Sequence, residues 1–565
     1  MVLIRLESLS TMFLLYNISL FAILIHAKIL LSKMAKFLNQ ITKNFLKIIN
    51  KATKIRGSFK FLWKPIFLIV VAFNIFLASW YLLNGNLNFG TDLARDFLLL
   101  NQIEEKKFML IGARAGAASL FHGPLWSYLN FPIYFISKGN PIVVGWFWIF
   151  LIITFLIIGF RIAKKLFDEK TAYFYLILVS TFLIFQMKEF SHQQAAFLVM
   201  PLFFYTFWQY INTFRTHYLA FHVLIAGALI QFEVASGAPF LLLSLVYIIY
   251  LQIRRGKLKH FPVLFLILVP LSTYILFDLR HDFFLLKNLI IYIKGKPDEF
   301  YPGLYLIFKS RIDYMSTTAV PLVNNLTLLN RVLTIAILIV LSKIILSINH
   351  QGKNRKVYLL FFYFFFGYFI LSLSSRYELL TQHFLPFVPI VFLVFASLVT
   401  SRYSKVFLPL LMLIIISNEF QALRFLRDSS AFVIGKNEDS WKFLAKLTDD
   451  VFNNSEQEFG YFVYSPDKLG YEPKYAMIYA KKIHPDKRVF NFEKKPVTYV
   501  ISTPPPPNDP YMTEEFWIKN SLRIYKKPEK LISYPNGYKI YRYKLSQDET
   551  IITPDQWEDS GIHFR

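Results

Sequence analysis

The sequence predicts a polytopic α-helical membrane protein of about eleven transmembrane helices with a small C-terminal extracytoplasmic α/β domain. Three observations predict it. Of 565 residues, 55% are apolar, 18% aromatic and only 17% charged, whereas an average soluble domain is roughly 45–50% apolar and about 25% charged. From Pro65 onward, apolar stretches long enough to cross a bilayer recur at 65–83, 141–160, 171–187, 194–213, 218–233, 236–252, 261–279, 326–348, 357–374, 382–400 and 405–421. Past about residue 435 the apolar runs shorten to strand length, as in Tyr461–Tyr464, Val497–Ile501 and Tyr538–Tyr541, with a helical stretch near Leu469–Lys482.

Residues 1–64 form a basic cytoplasmic or interfacial segment. They carry about eleven Lys and Arg against the single acid Glu7, and Lys43, Lys47, Lys51 and Lys54 alternate with Ile41, Phe45, Leu46, Ile48 and Ile49. That is the pattern of an amphipathic helix lying on an anionic leaflet. The run Met12–Leu31 is interrupted by Asn17, His26 and Lys28, which makes it an interfacial or marginal spanning segment rather than a cleaved signal. A start at Met34 is the alternative reading of residues 1–33.

The net charge of +26 would suggest nucleic acid on a soluble chain. Here the cations fall in the N-terminal arm and in short loops at Arg161-Lys164-Lys165, Arg254-Arg255-Lys257-Lys259, Lys353-Arg355-Lys356 and Arg402-Lys405. These are alternate loops, as the positive-inside rule requires. The expectation is therefore a multi-pass plasma (inner) membrane protein with a cytoplasmic N-terminus, the bilayer as its surroundings and no nucleic acid partner. Residues 84–140, 188–193, 234–235, 280–325 and 375–381 then lie outside, as does the tail from 422. With no cysteine in the chain, disulfides, thiolate metal sites and cysteine nucleophiles are excluded. Pro504–Pro507 must be extended.

The transmembrane domain, 65–421, carries two outer loops unlike mere connectors, 84–140 and 280–325. In the first, a helix over 92–106 puts Asp92, Arg95 and Asp96 on one face, with Leu98–Leu100 turned to lipid. The same loop holds Arg114 and the turn His122-Gly123-Pro124. The second opens Asp278-Leu279-Arg280-His281-Asp282 and later carries Lys309 and Arg311. Gln231 and Glu233 fall between two spans at the same end. Each has a plain reading as well: Thr91 or Asp92 as a helix cap, His122-Gly123-Pro124 as a turn, Glu233 as a solvated interfacial carboxylate, Arg280 and His281 as anchors. What favours chemistry is their convergence on one side, with few ionisable residues inside the spans.

At these residues the chain resembles the GT-C superfamily of integral-membrane glycosyltransferases, in the branch of the protein O-mannosyltransferases and lipid A aminoarabinose transferases (families 39 and 83). Asp92-Leu93-Ala94-Arg95-Asp96 stands where that branch has an Asp-x-Ala-Arg-like element after its first span, and His122-Gly123-Pro124-Leu125 where it has a Pro-Leu turn before the second. Gln231-x-Glu233, Leu279–Asp282 and His383-Phe384-Leu385-Pro386 also look like bacterial members, and the likeness covers about 65–400. Many relatives have Asp-Glu where this chain has Asp92-Leu93, so any role of that Glu is absent or has moved to Asp96.

The resemblance implies inverting transfer of a sugar from a polyprenyl-phosphate donor to a lipid, polysaccharide or protein acceptor on the outer face. The residues suit this chemistry in their own right. Asp92, with Asp96, is the candidate catalytic pair, Asp92 taking the acceptor's proton. Arg95, Arg114, Arg280 and His281 are the candidate cations for the donor phosphate. Glu233 with His122 is the candidate for a divalent metal ion, and no nucleotide cofactor is expected, since the chain has no Gly-rich phosphate loop. The alternatives are a transporter or lipid-linked-sugar flippase, which should carry mid-membrane charges or broken helices, and an outer-face polysaccharide polymerase or ligase.

Overall fold

A computed structural model describes residues 59–115, 120–294, 303–347, 353–375, 379–430, 440–466, 469–504 and 513–554. The basic segment up to residue 58, including Met12–Leu31, lies outside the described residues, as do three of the four prolines of Pro504–Pro507. Each of the eleven predicted runs is helical. The helices are α1 (Phe59–Ala78), α2 (Thr91–Lys106), α3 (Leu125–Ile136), α4 (Pro141–Leu166), α5 (Glu169–Gln186), α6 (His192–Thr213), α7 (Thr216–Phe232), α8 (Val234–Arg254), and α9 (Leu268–Arg280) continuing a 3₁₀ turn over Leu258–Ile267. They go on with α10 (Phe284–Lys294), α11 (Leu304–Thr317), α12 (Thr327–Leu346), α13 (Lys353–Ser372), α14 (Val388–Val399) after short turns from Thr381, and α15 (Ser404–Ser430).

Among the described residues seven helices are long and apolar enough to cross a membrane, and two more are shorter apolar helices. The count falls below eleven because a helix inside a bundle is freed from facing lipid. α5 shows this: it packs against α1, α4, α14 and α15, so it can keep Thr171, Ser180 and Thr181. Its polar groups are paired across helices, Asn74 Nδ2 donating to Ser180 Oγ (3.0 Å) and Thr181 Oγ1 (3.1 Å) and Thr171 bonding Thr400 (2.8 Å). α14 is apolar all round and buried along its whole length, as an all-hydrophobic helix should be.

The turns sort to two ends. At one, Lys64 and Lys164 pair with Glu169 (2.9 and 3.8 Å) and Lys356 reaches Asn212 (3.5 Å). At the other, α2, the N-terminus of α6, the α7–α8 turn and residues 381–387 converge.

The C-terminal region folds as α16 (Trp441–Asn453), β1 (Glu458–Tyr464), α17 (Tyr471–Ile483), β2 (Arg488–Asn491), β3 (Val497–Ser502), α18 (Glu514–Asn520), β4 (Lys530–Ser533), β5 (Lys539–Lys544) and a last turn over Gln547–Ile551. The strands form one sheet in the order β2-β1-β3-β5-β4. β1 is parallel to β2 and β3, as the crossover helix α17 requires, and the last two strands run antiparallel. Alternate side chains serve opposite faces. Phe462, Tyr464, Val500 and Tyr541 pack on Trp517 and Ile518 of α18, whereas Phe459, Tyr461 and Val463 join α16 and α17 in the same hydrophobic cluster as the membrane helices. The joint is made of backbone as well: Trp441 N donates to Leu87 O (3.1 Å) and Ser440 pairs with Asn88.

That docking corrects one expectation. Leu98, Leu99 and Leu100 are 7%, 1% and 0% exposed, so they face protein and not lipid: α2 is covered by α17 on one side and α3 on another.

Candidate active site

α2 begins after Gly90, and neither Thr91 nor Asp92 caps it; Asp92 sits in the first turn, where the helix dipole favours a carboxylate. Asp92 is largely exposed, while Arg95 and Asp96 turn inward. The guanidinium of Arg95 bridges them, donating to Asp92 Oδ1 (2.7 Å) and to Asp96 Oδ1 (3.2 Å). The other oxygen of the buried Asp96 lies 3.5 Å from Nδ1 of His192.

His192 opens α6. Its ring lies 4.2 Å from that of His122, centroid to centroid, and both face Glu233. His122, His192 and Glu233 are all buried, with donor atoms within 4.8 Å of one another. His122 is held there by close backbone packing. Gly112 N donates to His122 O (2.8 Å), His122 N to Ala113 O (2.8 Å) and Gly123 N to Gln231 O (2.9 Å). A Cβ on Gly112 would come within 2.4 Å of Gly123 O, and one on Gly123 within 1.7 Å of Gln231 Oε1. Gly112→Ala must therefore push the His122–Gly123 backbone away from Gly112. We expect it to cost about 1–3 kcal/mol by overpacking, read as a fall in melting temperature of the solubilised protein; an unchanged melting curve would show that this backbone has room to move.

Glu233 ends α7 and caps α8, accepting from Ala235 N (3.3 Å). At 2% exposure it is no solvated interfacial carboxylate. Burial pushes its carboxyl up to about 7, against the opposing pull of His192 and of the Ala235 N–H. Burial, helped by the positive potentials of His192, Arg95 and His383, holds His122 well below the usual histidine range, so its ring is neutral near pH 7.

These residues fit a divalent cation. His122 Nδ1 and His192 Nε2 are buried without a hydrogen-bond partner, and an unpaired buried polar atom is costly. Two imidazole nitrogens and a carboxylate are a donor set suited to zinc and its neighbours. The Asp96 carboxylate beside His192 Nδ1 is the outer partner that fixes a ligating histidine's tautomer and leaves Nε2 free to bind.

The structure thus brings together Asp92, Arg95, Asp96, His122 and Glu233. It does not bring Arg114, Arg280 and His281 to them. Arg114 is exposed, its backbone paired with Phe121. Arg280 and His281 line a cleft of about 690 Å³ with Gln102, Lys106, Phe108 and Ile111. Gln102 and Lys106 lie ten and fourteen residues beyond Asp92 on α2, roughly 15–21 Å along its axis.

Sequence reasoning missed His192, which stands in a short outer loop without a motif, and gave Arg311 only as a loop cation. Arg311 is 1% exposed, donates to Ser372 O (3.2 Å) and Ser375 O (2.9 Å), and adds positive potential beside Tyr314 and His383. The resemblance pointed to His383 but assigned it no role. Trp126 and Tyr134 are buried at 3% and 1%.

No family model matches the chain, and no curated protein matches it in sequence. In structure it is similar to ArnT from Cupriavidus metallidurans, solved bound to undecaprenyl phosphate (10% identity, TM-score 0.51, 86% of this chain and 98% of that one). The apo state of the same protein gives a TM-score of 0.53 at 10% identity over 85% and 97% of the two chains. A weaker likeness is to the apo oligosaccharyltransferase of Archaeoglobus fulgidus, 12% identical, with a TM-score of 0.37 over 79% and 70%. Over most of its length the chain shares the fold of that ArnT structure.

Proposed function

We propose that the chain is an inverting glycosyltransferase that moves a sugar from a polyprenyl-phosphate donor to an acceptor hydroxyl at the outer face of the plasma membrane. The observation that carries this reading is the continuous line Asp92–Arg95–Asp96–His192–His122–Glu233 at one end of an ArnT-like bundle. That end is the outer one if the basic loops face the cytoplasm. ArnT, which shares the fold, has been solved with undecaprenyl phosphate bound, and the same class of lipid is the donor carrier proposed here.

In the step envisaged, the acceptor oxygen attacks the anomeric carbon opposite the phosphate. Its proton passes to Asp92, the carboxylate that opens to solvent, and the carbon–oxygen bond to phosphate breaks with its electron pair going to the polyprenyl phosphate. Arg95 is the cation close enough to that base to stabilise the phosphate charge as it develops. Arg280, His281 and Lys106, well along α2, suit a charged lipid headgroup at the interface better than the reacting phosphate. A divalent ion held by His122, His192 and Glu233 would supply further positive charge for the phosphate oxygens.

The test is release of polyprenyl phosphate from a panel of polyprenyl-phosphate sugars by the purified full-length chain, with membrane extract as the acceptor source. Release from one donor, dependent on acceptor, is the expected result. No release from any donor by folded protein would overturn the reading and make transport across vesicles the next assay.

A further inference from the structure

The C-terminal region grips α2 along its length. At the start of the helix, Thr91 Oγ1 donates to Glu472 Oε1 (2.5 Å). In the middle, the buried ring of Tyr475 packs edge-on against Phe97 (5.1 Å) and beside Phe89 (5.4 Å), and its hydroxyl donates to Gly139 O. At the far end, Lys482 pairs with Glu104, donates to the Tyr134 hydroxyl (3.0 Å) and lies 4.8 Å over that ring. Glu472, Tyr475 and Lys482 are spaced by three and seven residues, which puts them on one face of α17. Tyr471, next to Glu472, lies within electrostatic reach of Arg95.

α2 also carries Asp92, Arg95 and Asp96. The contact between Asp96 and His192 is already at 3.5 Å, so a slide or roll of α2 by one ångström would break it. Inside the bundle α2 also meets α3, where the Tyr134 ring lies 6.0 Å from Phe97 and its hydroxyl 3.4 Å from Asn101 Oδ1, and Lys482 of α17 engages that same Tyr134. We propose that α17 is a positioning element of the reaction centre: Glu472, Tyr475 and Lys482 hold α2 in the register at which Asp96 faces His192 and Asp92 faces the acceptor. None of the three touches reacting atoms. The inference rests on the glycosyl-transfer reading for its activity readout only.

The test uses the full-length chain in nanodiscs, with Lys482→Met, Glu104→Lys, the exchanged pair Lys482→Glu with Glu104→Lys, and Thr91→Val, an exposed and nearly isosteric change. Amide exchange over residues 94–106 should speed up about tenfold in the single variants and return in the exchanged pair. The kcat for polyprenyl phosphate release should fall about tenfold, short of the roughly hundredfold expected for a full ångström of misplacement, with donor KM within about twofold of wild type. A merely structural brace would not split kcat from KM, and rescue by the exchanged pair shows that the Lys482–Glu104 ion pair itself carries the effect. Unchanged exchange and unchanged kcat in all single variants would overturn the inference, as would a folded exchanged pair that recovers neither. If wild type releases no polyprenyl phosphate at all, the glycosyl-transfer reading falls and exchange alone decides: loss of protection at both 94–106 and the His192 turn supports the positioning role, and its retention at either sinks it.

Discussion

Asp92→Asn is expected to lower sugar transfer by roughly 10²–10⁴-fold, the usual contribution of a general base, while leaving the protein folded. The two parts of that expectation have separate causes. The amide keeps the size of the side chain and can still meet Arg95, but it cannot accept the acceptor's proton. Folding should tolerate the change because Asp92 is 66% exposed and its partner Arg95 keeps Asp96; an exposed ion pair contributes about 0–1 kcal/mol. Asp96→Asn makes the contrast. It removes a buried charge that faces both Arg95 and His192, and breaking such a pair costs about 3–5 kcal/mol. Polyprenyl phosphate release and melting temperature, measured on both variants, separate the roles. Transfer by Asp92→Asn within about twofold of wild type would remove Asp92 from the mechanism.

The second large effect concerns the His122–His192–Glu233 centre. Chelator-stripped full-length protein should bind one zinc ion per chain by titration calorimetry, and Glu233→Gln or His192→Ala should abolish that binding, since each removes one of the three donors gathered there among the described residues. Asp96→Asn should keep the stoichiometry and weaken the affinity by about 10–100-fold, as loss of a histidine's outer carboxylate does. Calorimetry on stripped protein needs no substrate, so it stands whether or not the donor has been found. Equal zinc affinity in wild type and Glu233→Gln would show that the three side chains do not form a metal site.

Much of this was legible in the sequence, for reasons that differ by residue. The α2 helix followed from its spacing, and so did the sharing of one face by Asp92, Arg95 and Asp96, because neighbours on a helix are fixed by its period alone. The meeting of His122 with Glu233 could be suspected only from their lying at the same end of the membrane. What brings them into contact, the close approach of Gly123 to Gln231 of α7, is a property in space of two segments more than 100 residues apart in the chain. The fate of Leu98–Leu100 was misread for a similar reason. Apolar side chains on a surface helix look alike whether lipid or protein covers them, and here the cover of α2 comes from α3 and from α17, the latter nearly 380 residues later in the chain. His192 and Arg311 carried no local signal, since one histidine in a short loop and one arginine in a long one resemble many surface residues.

The way α5 is packed bears on how the chain must be assembled in the cell. Thr171 finds its partner on Thr400 and Thr181 on Glu419, and α14 and α15 both pack against α5. Those partners are synthesised more than 200 residues after α5 itself. During translation the earlier helices must therefore wait in the bilayer with Thr171 and Thr181 still lacking these late partners. The packing around α5 is complete only when α14 and α15 have both entered the bundle, so a ribosome stalled before residue 388 would leave behind an integral membrane protein with no finished interior.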